Sequence, residues 1–97
     1  MRYELHAGTA KVSPVFGEYV EVRMQRLLSD FGFIVHGDIY LQEVGAKGKA
    51  HQVVIRLQVP GETVIAEEKG MNFQEAFDLA LGAVRRQLTR YKEISRS

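Results

Sequence analysis

The chain has 97 residues, 45% apolar and 26% charged, which fits one globular domain and leaves no room for two. It has no cysteine, which excludes disulfides and thiolate metal sites, and no apolar run approaches the roughly 20 residues that span a bilayer. The net charge of +1 hides an asymmetry: Arg85 to Ser97 holds five basic residues and one acidic, so the remainder is net −3. Such asymmetry is an argument about partners rather than about fold. The N-terminus, MRYELHAGTA, lacks the apolar stretch of a signal peptide, and the expected location is the cytoplasm.

Residues 2–7 place Tyr3, Leu5 and Ala7 on one face and Arg2, Glu4 and His6 on the other, a short strand with one buried face. Ser13-Pro14 starts a helix, because serine caps and proline suits the first helical position. Phe16, Val20, Met24, Leu27 and Phe31 recur at helical spacing and give one apolar stripe, so the helix is expected over Pro14 to Phe31, with Gly32 as its stop. Its polar face carries Arg23 and Arg26.

Phe33 to Val44 is rich in branched and aromatic residues and reads as a strand, followed by the turn-forming GAKGK, whose Lys47 and Lys49 could touch a phosphate. Val53, Ile55, Leu57 and Val59 alternate with Val54, Arg56 and Gln58 in a clear strand. Pro60-Gly61 makes a tight turn into a strand over Thr63–Glu68. These connections are short, so the last three strands should form an antiparallel meander.

Asn72 caps a second helix running to about Lys92, with Phe73, Phe77, Ala80, Val84, Leu88 and Tyr91 as its apolar stripe. At about 100° per residue, Arg85, Lys92 and Arg96 are expected on one line opposite the stripe, with Arg86 and Arg90 beside it. Glu75 and Asp78 near the start and cations at the end both suit the helix dipole. The order β-α-β-β-β-α predicts an α+β fold of two layers: a four-stranded sheet with both helices on one face and the first two strands parallel.

Catalytic signals are weak. His6, His36 and His51 lie in or next to strands without metal-ligand spacing, and each reads as a surface or half-buried imidazole. Glu67 and Glu68 point to opposite sheet faces, Glu75 and Asp78 serve the helix start, and Ser13 is occupied as a cap. No cofactor motif is present and no enzyme is expected. Five cations in thirteen residues exceed what the dipole needs, which points to a polyanion, with Arg23 and Arg26 extending the patch.

The run Phe73 to Lys92 resembles the last helix of the ribosome hibernation-promoting factor / ribosome-associated protein Y family, through Ala76, Asp78, Arg86-Gln87-Leu88, Arg90 and Lys92. VVIRLQVPGETVIAEEKG is similar to the family's third and fourth strands, and the element order agrees. The chain differs in carrying Gln74 where an aromatic residue is common, Ala83 where lysine is common, and Arg85 where an acidic residue is common.

The resemblance implies a short-form, double-stranded-RNA-binding-like domain over 1–97, without a C-terminal ribosome-dimerisation domain. It implies no enzymatic activity. The implied partner is the rRNA of the small ribosomal subunit in the mRNA/tRNA channel, bound during stationary phase or stress through Arg23, Arg26, Arg85, Arg86, Arg90 and Lys92, to inhibit translation. A homodimer or a ribosome-pairing partner factor is compatible with the same surface. Two other readings fit the residues alone: a free double-stranded-RNA-binding module, and a regulatory α/β module whose open sheet face docks a protein.

Overall fold

The computed structural model describes residues 2–48 and 50–95. The elements are β1 (Tyr3–His6), α1 (Pro14–Asp30), β2 (His36–Val44), a 3-10 turn at Ala46–Gly48, β3 (Ala50–Val59), β4 (Glu62–Gly70) and α2 (Phe73–Ser95). The strands form one sheet in the order β1-β2-β3-β4, with β1 parallel to β2 and the other pairs antiparallel. This is the expected two-layer α+β architecture.

The helix starts follow from local chemistry. Ser13 Oγ accepts the Phe16 N–H at 3.1 Å, with Pro14 in the first turn. Asn72 Oδ1 accepts the Glu75 N–H at 2.8 Å, and Glu75 Oε1 accepts the Met71 N–H at 3.0 Å, a reciprocal cap. Between β3 and β4, Gly61 takes φ +84°, the value a type II turn needs after Pro60.

The end of α1 differs from expectation. Gly32 is not in the left-handed region; instead the Phe31 N–H bonds to the Leu27 carbonyl at 3.0 Å. The carbonyls beyond are met by a side chain distant in sequence. Arg2 donates to the carbonyls of Leu28 (3.1 Å), Gly32 (3.2 Å) and Ile34 (2.9 Å), placing a cation at the negative end of the helix dipole. The segment from Phe33 turns back through an Ile34 N–H to Phe31 carbonyl bond of 3.1 Å, which is why β2 begins only at His36.

Register decides what each face carries. Ile39, Ile55 and Ala66 stand opposite one another and are buried, as are Leu57 and Val64. Val20, Met24 and Leu27 of α1 and Phe77, Ala80, Val84 and Leu88 of α2 complete this core and are fully buried, so both helices cover one sheet face. The helices run side by side in the same direction. Phe16 packs on Phe73 and Phe77 at one end (ring centroids 6.1 and 6.2 Å), and Asp30 reaches Arg85 at the other. The opposite sheet face carries Glu4, His6, Asp38, Tyr40, Arg56 and Ile65.

Candidate nucleic-acid interface

Because α1 and α2 are parallel, the negative ends of both helix dipoles lie at the same end of the molecule. The cations expected to bind RNA are spread along the two helices, with Lys92 in the last turn of α2, and are in three different states. Asp30, at the last position of α1, pairs with two of them. Its Oδ2 lies 3.4 Å from Arg26 Nε and 3.1 Å from Arg85 Nη1. The Arg85 guanidinium also sits 5.9 Å from the centre of the Phe31 ring. Arg85 is therefore half-buried between the helices rather than on a free line opposite the core. The reason is its place directly after the buried Val84, which puts it on the flank of the apolar stripe facing α1.

Arg23 stacks over the Tyr19 ring, 3.5 Å from its centroid. The Tyr19 hydroxyl in turn donates to Asp78 Oδ1 at 2.6 Å, and this bond, with some burial, raises the phenol above its ordinary pKa. Arg23 is thus held by an aromatic face that α2 anchors. Its guanidinium edge stays available to a phosphate, since stacking uses only the plane.

Arg86, Arg90 and Lys92 are exposed and form no ion pair with a described residue. Arg86 and Arg90 line a shallow groove with Phe31, Arg85, Thr89 and Glu93. Arg96 and Lys49 lie outside the described residues. Lys47 sits in the β2–β3 connection at φ +61°, at the other end of β2 from the turn after α1.

In the sequence the histidines stand isolated; in the structure His6 and His36 meet at one carboxylate. Parallel pairing of β1 with β2 places Glu4 opposite Asp38. His6 Nε2 lies 2.9 Å from Asp38 Oδ1 and His36 Nε2 3.3 Å from the same oxygen. The His6 bond, helped by His36 and opposed by some burial, holds the Asp38 carboxyl below its usual range. His51 is separate and half-buried, edge-on to Phe73 with centroids 4.7 Å apart, and its Nδ1 has no hydrogen-bond partner among the described residues. The alternation of positions 4 and 6, and of 36 and 38, was readable in the sequence; the register that joins the two pairs was not.

Comparison with known proteins places the chain. Residues 4–96 match the family described as sigma 54 modulation protein / S30EA ribosomal protein. The chain belongs to this family, the ribosome hibernation-promoting factor family that its last helix resembles. Membership makes it a ribosome-associated protein of a family that is non-enzymatic in general. Among solved structures it is similar to a ribosomal subunit interface protein from Coxiella burnetii, at 20% identity and a TM-score of 0.83, over 96% of this chain and 99% of that one. It is also similar to the Protein Y N-terminal domain of Thermus thermophilus, at 23% identity and a TM-score of 0.74, over 90% and 93%. At these identities the structural likeness shows the fold alone. No curated protein sequence matches the chain. No helix among the described residues is long and apolar enough to cross a membrane.

Proposed function

We propose that the protein inhibits translation by occupying the mRNA/tRNA channel of the small ribosomal subunit in stationary phase or stress, held there by rRNA phosphates. The observation that carries this reading is that Arg86, Arg90 and Lys92, on the C-terminal half of α2, are exposed and form no ion pair with a described residue. Family membership supplies the ribosome as the partner class. Arg23 adds a contact pre-oriented by Tyr19, and Arg26 and Arg85 join by exchanging Asp30 for phosphate oxygens.

Phosphate contacts position a protein without reading base sequence, so recognition rests on the shape of the RNA. Affinity should then fall with salt, at a log–log slope of about −0.7 to −0.9 per phosphate neutralised. Sucrose-gradient cosedimentation with small subunits across a salt series tests this, alongside translation in vitro and competition by a plain RNA duplex. Salt-sensitive binding that the duplex fails to displace supports the proposal. Displacement by an equimolar duplex would point to a free double-stranded-RNA-binding module instead.

A further inference from the structure

The sheet face turned away from the helices carries a second cluster, on which the ribosome reading does not draw. Glu4 and His6 alternate along β1, and His36 and Asp38 alternate along β2, so each pair projects to one side of its strand. The parallel register Glu4↔Asp38 and His6↔Tyr40 brings the pairs together. His6 Nε2 is 2.9 Å from Asp38 Oδ1 and 3.8 Å from Glu4 Oε2, and His36 Nε2 is 3.3 Å from Asp38 Oδ1. Tyr40 stacks on the His6 imidazole (centroids 4.8 Å apart, planes 15° apart) and fixes the ring with Nε2 towards the carboxylates.

The separations of His6 from Glu4 and of both imidazoles from Asp38 are near those between ligands of one ion. Bonds of about 2.0–2.2 Å to nitrogen and oxygen at the tetrahedral angle put neighbouring donor atoms roughly 3.3–3.5 Å apart. The three separations bracket that edge, and one donor atom each from Glu4, His6 and Asp38 lies within 4.8 Å of the others. With neutral imidazoles the four groups carry two negative charges, which a divalent cation balances. A hydrogen-bonded His–Asp pair would need only Asp38; Glu4 supplies a second carboxylate on the same side. Arg56 stands opposite Asp38 on β3 but forms no ion pair with it.

We infer that Glu4, His6, His36 and Asp38 form a binding site for one divalent d-block cation of the zinc class, fastening the edge strand β1 to β2. Two imidazoles with two carboxylates suit Zn²⁺, Co²⁺ or Ni²⁺, whereas Mg²⁺ and Ca²⁺ prefer all-oxygen shells and Cu⁺ prefers sulfur. β1 has four residues and pairs with one neighbour only, so the ion would add a cross-link where the sheet has the fewest hydrogen bonds.

The test uses untagged full chain, stripped of metal with a chelator and titrated with Zn²⁺ by calorimetry, with Co²⁺ absorption reporting geometry. The expected result is one ion per chain, a tetrahedral Co²⁺ spectrum, and Zn²⁺-dependent shifts of the His6 and His36 imidazole resonances, with slower amide exchange in β1. His6→Gln, His36→Gln and Asp38→Asn should each weaken Zn²⁺ by at least about tenfold, since even loss of an outer-shell partner costs that much. His51→Gln should leave binding unchanged. Absence of saturable Zn²⁺ binding, or unshifted His6 and His36 resonances in the unaltered chain, overturns the inference whether or not the variants fold.

Discussion

Asp30 and Arg85 join the C-terminal end of α1 to α2 through a 3.1 Å bond between Oδ2 and Nη1. The same carboxylate holds Arg26. One acidic residue therefore restrains two cations at the centre of the proposed RNA surface, and this arrangement separates stability from binding. Asp30→Asn should cost at most about 1 kcal/mol, because Arg26 is exposed and Arg85 and Asp30 are each only partly covered, and such pairs contribute little. It should strengthen binding to small subunits at low salt and steepen the salt dependence, since two guanidinium groups are released and a negative charge is removed. Chemical denaturation and cosedimentation on the same preparation check the two halves.

Gly70, at the end of β4, lies close against the start of α2. A Cβ there would lie 2.9 Å from the backbone nitrogen of Ala76 and 3.1 Å from the Glu75 Cβ. Backbone cannot swing aside as a flexible side chain can. Gly70→Ala should destabilise the fold by about 1–3 kcal/mol, as overpacking does, and lower the midpoint of urea unfolding. Gly32→Ala, which meets nothing within 4 Å and is not in the left-handed region, should change it far less.

Tyr3 on β1 donates its hydroxyl to Glu21 on α1, which also accepts from Gln25 at 3.0 Å. Burial, then the Glu21 bond and charge, push the Tyr3 phenol above its ordinary value. The Tyr3 bond, then that of Gln25, pulls the Glu21 carboxyl below its ordinary value. A depressed carboxyl contributes stability that is present above its unfolded pKa and lost as pH falls through the folded one; a raised phenol contributes stability present below about pH 10 and lost as pH rises. The penalty of Tyr3→Phe should therefore be largest between roughly pH 5 and 9, and shrink towards both extremes. Denaturation curves of the two proteins across pH measure that difference directly.

Much of the fold was legible because its signals are local. Ser13-Pro14, Asn72 with Glu75, and Pro60-Gly61 each fix a boundary through groups three or four residues apart, and the apolar spacing in α1 and α2 names their buried faces. What escaped depends on partners distant in the chain. Arg2 ends α1 from 26 residues away, a role no pattern around Gly32 reveals. Arg26 and Asp30 are an i,i+4 pair that the sequence displays, yet the capture of Arg85 by Asp30 needs the two helices to lie side by side. The Glu4, His6, His36 and Asp38 cluster likewise exists only through the β1–β2 register.

The proposed function rests on exposed cations in the C-terminal half of α2 gripping rRNA phosphates. Its most direct test is the salt dependence of small-subunit binding for the unaltered chain and for Arg86→Glu with Arg90→Glu. Both side chains are exposed and form no ion pair with a described residue, so the double variant should unfold at the same denaturant concentration within error. Binding should weaken by at least about tenfold at low salt, with a log–log slope shallower by about 1.4–1.8, the contribution of two phosphates. Binding of the double variant at unchanged affinity and with an unchanged slope would contradict it.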